Sequence, residues 1–239
     1  MLEASFLGQF RVSWQGVVLT QFRSDKIRAL LAFLAVEAGK CHRREYIATL
    51  LWPENVIALR NLRKSLHRLR ETLDAAERGL SERLLVVTRQ TIMMPKTAVS
   101  LDTTRFEQIL TQVSVHEHQA IATCPACLAS LQEAATLYQG EFLSGLSLTN
   151  ALSFEEWLLH KRETLHCVAL NVFQQLATIF EQHGECERAQ QYLSQQIRLE
   201  PWHEAPYRQL MQLLAKQGKR GEALEKYALC CQVLSTELA

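Results

Sequence analysis

Residues 54–76 read ENVIALRNLRKSLHRLRETLDAA. Wound as a helix at about 100° per residue, this stretch gathers Leu59, Leu62, Leu66, Leu69 and Leu73 into one narrow arc. The opposite arc holds Arg60, Asn61, Lys64, His67, Arg68 and Glu71, and Arg63 and Arg70 flank the leucines. Five basic residues lie within positions 60–70, which makes this a poor core helix. It suits instead a major groove about 12 Å wide, which admits one helix. Arg and Lys donate to guanine O6 and N7, and the Asn61 amide can bridge an adenine edge. A cationic face on a lone helix is more often simply solvated, so its neighbours decide the reading.

Working outward, Ile27, Leu30, Leu31, Leu34 and Ala35 recur at helical spacing from Asp25 to a stop at Gly39. A second helix covers Arg44 to Leu51, with Ile47, Leu50 and Leu51 apolar, and halts before Pro53. The basic helix follows over 55–76. Residues 84–94, LLVVTRQTIMM, are β-formers around a polar tip at Arg89-Gln90, a small hairpin. Before all of these, Phe6, Phe10, Val12, Trp14, Val17 and Leu19 nearly alternate, with Gly16 between two short runs, and predict two short strands around a turn. Strands, three helices and a hairpin make a winged helix-turn-helix. Phosphate contacts are expected from Arg43 and Arg44, where free N–H groups at a helix start already favour an anion. Arg63, Thr88, Arg89 and Thr91 join them, and Arg23 and Lys26 lie near the first helix.

The 239 residues leave room for two ordinary domains, and 48% hydrophobic with 21% charged residues describes a globular chain. Nine Gly and five Pro leave little material for linkers. No run of about 18 uncharged apolar residues predicts a membrane span. The N-terminus, MLEASFLGQF, lacks a basic region and a long apolar stretch, so no signal peptide is expected. Seven cysteines in a chain of this size fit a reducing cytosol, and the cytoplasm is the expected location. The net charge of +1 hides an asymmetry. Residues 1–100 carry 16 Lys+Arg against 9 Asp+Glu, and residues 101–239 carry 10 against 16. A basic half joined to an acidic half predicts that one binds a polyanion and the other does something else.

Charge and pattern change together between Pro95 and Thr104, which sets domains at 1–98 and 99–239. Everything beyond is helical by periodicity, near 103–117, 125–138, 151–183, 186–199, 203–217 and 219–236. Leu176, Gly184, Ala189 and Leu193 realign with Leu210, Gly218, Ala223 and Tyr227 after a shift of 34. That is the period of tetratricopeptide repeats. The expected fold is mainly α: a winged helix-turn-helix with a short β-sheet and wing hairpin, then a tetratricopeptide-like array.

FLGQFRV, DKIRALLAFLAVEAGKCHRREYIATLLWPE, ALRNLRKSLHRLRETL and the hairpin together resemble the DNA-binding domain of antibiotic-regulatory (SARP-type) activators, a branch of the OmpR-type winged helices. From Leu101, LDTTRFEQIL, YQGEFLSGL, FEEWLLHKRETL, EPWHEAPYRQLMQLLAKQGKRGEAL and LSTEL resemble, in order, the bacterial transcriptional activator domain. The resemblance covers nearly the whole chain. It implies dimeric or tandem binding to direct repeats of double-stranded DNA and recruitment of RNA polymerase. It gives the base-facing role to Arg60, Asn61, Lys64, His67 and Arg68, and phosphate or wing contacts to Arg43, Arg44 and Arg89. Two departures stand out. Residues 114–127, SVHEHQAIATCPAC, form an insert, and the chain stops where larger members continue into an ATPase and sensor region.

The insert carries His116, His118, Cys124 and Cys127. Two thiolates and imidazole are zinc ligands, so His118, Cys124 and Cys127, with His116, are candidates for Zn²⁺. Cys-Pro-x-Cys is also a redox pattern, and the plain reading is loop and helix-start residues. No other cofactor is expected. Adjacent Cys230 and Cys231 point about 100° apart and read as packing residues, and Cys41, Cys167 and Cys186 as bystanders. Tyr192, Trp202, Tyr207 and Tyr227 would line either a partner groove or the core. Glu155 and Glu156 do not face one another on a helix and read as solvated. No Walker A loop, GxGxxG, HExxH or GxSxG occurs, so no enzyme is expected. The rival readings are an interaction scaffold whose winged helix no longer binds DNA, and a regulator gated by metal or redox through the insert.

Overall fold

The computed structural model describes residues 1–53, 56–117 and 121–237. The chain divides into two compact units, Met1–Gln108 with Leu137–His166, and Ile109–Thr136 with the residues from Cys167 onward.

In the first unit, β1 (Leu2–Ser5), β2 (Arg11–Trp14) and β3 (Val17–Val18) form an antiparallel meander. The sequence predicted two strands here and the structure has three. Leu2 and Ala4 point inward and Glu3 and Ser5 outward, so β1 has the period of a half-buried strand. The β2–β3 turn places Gln15 at φ 49° and Gly16 at φ 80°, the positive pair a tight hairpin requires. β7 (Val99–Leu101) pairs in parallel with β1, Leu2 opposite Val99, giving the order β3-β2-β1-β7. Periodicity did not reveal β7: three residues are too few to show a period.

Helices α1 (Asp25–Val36), α2 (Arg44–Leu51), α3 (Ala58–Ala76) and α4 (Leu80–Leu84) follow. The core they share includes Ile27, Leu30, Leu31, Ile47, Leu51, Leu62, Leu69 and Leu73. α3 starts at Ala58, later than the sequence predicted, and α4 was not foreseen. Asp74 holds α4 by accepting from Ser81 N at 2.8 Å and Ser81 Oγ at 2.9 Å. The end of α3 is pinned to β2, because Glu77 accepts from Trp14 Nε1 at 2.7 Å and pairs with Arg83. These hydrogen bonds hold the Glu77 carboxyl below its ordinary pKa. A second sheet, ordered β4-β6-β5, joins β4 (His42–Arg43), β5 (Val86–Val87) and β6 (Thr91–Met93).

Residues 139–144 complete this unit by backbone pairing. Gln139 N donates to Leu7 O (3.1 Å), Leu143 N to Phe6 O (2.8 Å) and Ser144 N to Gly8 O (2.8 Å). The loop bends through Leu143 at φ 50° and Gly145 at φ 79°. Arg162 fixes the bend, donating to the carbonyls of Phe142 (3.0 Å), Leu143 (3.0 Å) and Leu146 (3.1 Å). Arg162→Met keeps the aliphatic stem and strands three acceptors. We expect it to cost about 2 kcal/mol, read as a lower urea midpoint with unchanged slope. An unchanged midpoint would show that water replaces the guanidinium without loss.

Beyond β7, α5 (Asp102–Val115), α6 (Pro125–Leu137), α7 (Leu152–Gln182), α8 (Cys186–Leu199), α9 (Glu204–Lys216) and α10 (Arg220–Glu237) match the predicted helices closely. In the second unit α9 packs against both α8 and α10. Gly184 and Gly218 adopt φ 74° and 78°, the left-handed turn between the helices of each repeat. Leu176, Ala189, Leu193 and Leu210 are buried, as the repeat demands. The matching positions in α10 are not: Ala223 is only half-buried and Tyr227 is 57% exposed. Of the four aromatics, Tyr207 is core, Tyr192 is half-buried and stacks on Phe180, and Trp202 is exposed. A polar ladder joins α7 to α9, with Gln174 on Gln209 (2.9 Å) and Gln209 and Lys216 on Glu181 (2.9 and 2.7 Å).

Candidate nucleic-acid interface

The seam that seats α3 consists of Leu62, Ser65, Leu66, Leu69, Thr72 and Leu73. Leu59, read from the wheel as part of that seam, is instead 48% exposed. Helical side chains lean toward the N-terminus, so Leu59 reaches over the turn before α3, where Val56 and Ile57 are themselves exposed. Thr72 Oγ1 donates to Gln21 O at 3.2 Å and adds a polar tie on the buried side.

Opposite the seam, Arg60, Lys64, His67 and Arg68 are exposed and Asn61 is half-buried beside them. Arg63 is also exposed. Arg70 turns inward: it is half-buried, and its Nε lies buried without a hydrogen-bond partner among the described residues. His67 is the one member of the face with a carboxylate partner there, Glu71, at 3.4 Å. Among the described residues no carboxylate lies within 4.0 Å of Arg60, Arg63, Lys64 or Arg68. Four like charges therefore stand together in solvent on one helix, where neutralising them internally would have needed only a few acidic residues.

The wing is built to present one cation. Thr88 Oγ1 accepts from Thr91 N (2.9 Å) and Gln90 N (3.2 Å) and lies 2.9 Å from Thr91 Oγ1. Thr88 and Thr91 thus lock the turn and leave Arg89 exposed at its apex. Arg44 supports the same turn: its N–H donates to Gln90 O at 2.9 Å and its guanidinium to Thr88 O at 3.2 Å. Arg43, just before α2, is exposed. Lys26 has an internal role that sequence reasoning missed. It donates to Leu51 O at the C-terminus of α2 and sits 5.6 Å from the Trp52 ring centre. Burial lowers its pKa, partly offset by the Glu155 charge. Its signal, a cation available to a helix C-terminus, was not visible before the fold set α1 beside α2.

A family model, the bacterial transcriptional activator domain, matches residues 101–239. The chain belongs to the bacterial transcriptional activator domain family. The family is one of transcriptional activator domains, and in this chain a small sheet and the helices α1–α4 precede it. Among solved structures the chain is similar to EmbR of Mycobacterium tuberculosis, in a complex with a low-affinity phosphopeptide. The TM-score is 0.66 at 18% identity, over 99% of this chain and 60% of EmbR. At that identity the likeness speaks for the fold, and the chain spans 60% of the length of EmbR. No curated relative matches the chain. No helix among the described residues is long and apolar enough to cross a membrane.

Within the activator domain, the insert brings His116 to Cys124 and Cys127. His116 Nδ1 lies 3.8 Å from Cys124 Sγ and 3.4 Å from Cys127 Sγ. His118, a ligand candidate from the sequence, lies outside the described residues. The N–H of Cys127, then its thiol and the N–H of Ala126, hold the Cys124 thiol below its ordinary pKa. Cys230 is buried and Cys231 exposed, as adjacent helical positions should be. Glu155 is not a free carboxylate, because it accepts from Ser147 Oγ (3.3 Å) and Leu148 N.

Proposed function

We propose that the chain is a sequence-specific activator that reads double-stranded DNA through residues 1–98 and uses residues 99–239 for self-association and partner binding. α3 enters the major groove with Arg60, Asn61, Lys64, His67 and Arg68 toward the base edges. Arg43, Arg63 and Arg89 reach phosphates, and Arg44, Thr88 and Thr91 hold the wing that carries Arg89. The protein acts in the cytoplasm as a homodimer on direct repeats and recruits RNA polymerase, as its family membership suggests.

One observation carries this reading: Arg60, Lys64 and Arg68, opposite a buried leucine seam, and Arg63 at its flank are exposed with no carboxylate partner among the described residues. A scaffold that no longer bound DNA would have no reason to keep that uncompensated charge solvent-facing beside a wing tipped with arginine.

Salt tests it. Each neutralised phosphate contributes about −0.9 to the slope of log affinity against log salt. The three phosphate-reaching cations give a slope of about −3 per protomer. We expect fluorescence anisotropy on a pool of genomic duplexes to show binding at about 50 mM salt that weakens at that slope. No binding at low salt, or a slope near zero, would hand the winged helix to protein docking.

A further inference from the structure

Between α5 and α6 the described residues 116–117 and 121–124 are held by specific hydrogen bonds. His116 closes α5, its N–H donating to Gln112 O at 3.1 Å. A 3₁₀ turn over residues 121–123 precedes Cys124, whose N–H donates to Ile121 O at 3.1 Å. Cys124 stands directly before Pro125, the first residue of α6, and its carbonyl accepts from Leu128 N at 3.0 Å. His183 Nε2, beyond the end of α7, lies 2.8 Å from Ala122 O and ties the turn in place. Cys127, one helical turn on, is buried.

This local architecture brings one imidazole nitrogen and two sulfurs, from residues 116 to 127, within 4.8 Å of one another. Zinc bonds of about 2.3 Å to sulfur and 2.0–2.1 Å to nitrogen set a tetrahedral N···S edge of about 3.5 Å. The two N···S separations here, 3.4 and 3.8 Å, straddle that edge. The ring nitrogen, nearly equidistant from both sulfurs, supplies the third donor that a metal needs beyond the dithiol. An imidazole–dithiolate set is the donor set of zinc rather than of magnesium or calcium.

We propose that His116 Nδ1 and the thiolates of Cys124 and Cys127 bind one Zn²⁺, which clamps the end of α5 to the start of α6. On binding, the two thiols release their protons to solvent as two Zn–S bonds form, and the neutral imidazole donates a lone pair. Water or a further donor takes the fourth corner. The clamp lies within the activator domain and ties the end of one helix to the start of the next.

The test uses the full chain, purified in reductant, supplied with zinc and desalted. The expected result is one zinc per chain by elemental analysis. Cys124→Ser with Cys127→Ser should bring that to background, and His116→Ala should drop retention well below one zinc per chain. Cobalt in place of zinc should show thiolate charge-transfer and intense tetrahedral visible bands in the wild type that vanish in the double variant. If the variants fail to fold, the wild type still decides. Zinc should slow alkylation of Cys124 and Cys127 by about tenfold, while exposed Cys41, Cys167 and Cys231 react at the same rate with or without it. Background zinc in the wild type, zinc unaffected by the cysteine changes, unprotected thiols, or a Cys124–Cys127 disulfide isolated in place of the metal would each overturn the site.

Discussion

Replacing Arg60, Lys64 and Arg68 together with alanine is expected to weaken duplex binding by about 10²- to 10⁴-fold at fixed salt, at about 1–2 kcal/mol for each interaction with a base or phosphate that is removed. The three side chains project from the exposed face of α3, and no carboxylate among the described residues has to be left behind unpaired. The fold should not feel their removal, because the seam of Leu62, Leu66, Leu69 and Leu73 is untouched. Surface changes of this kind usually stay within about 0.5 kcal/mol of wild-type stability. The salt slope should fall along with the affinity for each deleted side chain that touched a phosphate, whereas deleting one that touched only a base should leave it unchanged. Arg70→Ala is the contrasting control. Its stem is half-buried, so the lost packing should lower stability before affinity falls. Unaltered affinity in the triple variant, with the fold intact, would remove α3 from the groove.

Long elements and their apolar faces were legible in the sequence. α2 and α8 fall where the spacing predicted them, because a full stripe of apolar residues ends at a clear breaker, Pro53 for one and Pro201 for the other. The repeat was legible too, since Gly184 and Gly218 mark turns that need a positive φ. Tyr227 shows where such a pattern stops carrying information. It keeps its repeat position yet is exposed, because burial depends on the next element and not on the residue alone. Short pieces were illegible for a related reason: β7 is defined by its partner β1, 97 positions away at Leu2 and Val99, and no local pattern encodes that pairing.

For the site, charge type was readable and charge assignment was not. Arg60, Lys64 and Arg68 are exposed as the wheel placed them, but Lys26 and Arg44 are engaged with backbone carbonyls at Leu51 and Thr88. A basic residue within reach of a helix C-terminus or a tight turn has an internal use that competes with any external anion, and only the fold shows which cations have one. The His–Cys cluster follows the same logic. Spacing offered two histidines, and the described structure brings His116 to the thiols because α5 ends there.

Asp102 lies in the stretch that the sequence treated as a boundary, and it should be one of the costliest polar residues to remove. Its Oδ2 accepts from Phe6 N at 2.7 Å and Leu7 N at 2.8 Å, and its Oδ1 from Thr103 N at 2.7 Å. One carboxylate thus satisfies the chain leaving β1 and the first turn of α5. Asp102→Ala leaves those donors without an acceptor beside the buried side chains of Phe6 and Leu7. The expected loss is about 2–4 kcal/mol by urea unfolding. Burial raises the Asp102 carboxyl above its ordinary pKa, outweighing the hydrogen bonds that pull it down. The native state therefore holds the proton more tightly than the unfolded chain does. Between the unfolded and native pKa values ν_N exceeds ν_U, so the contribution of Asp102 to stability declines as pH rises through that window and is constant above it. The gap between wild type and Asp102→Ala should accordingly be widest in acid, narrow as the carboxyl ionises, and level off at neutral pH with the wild type still ahead. A gap that widens instead as pH rises would mean that the three N–H donors, and not burial, govern this carboxyl.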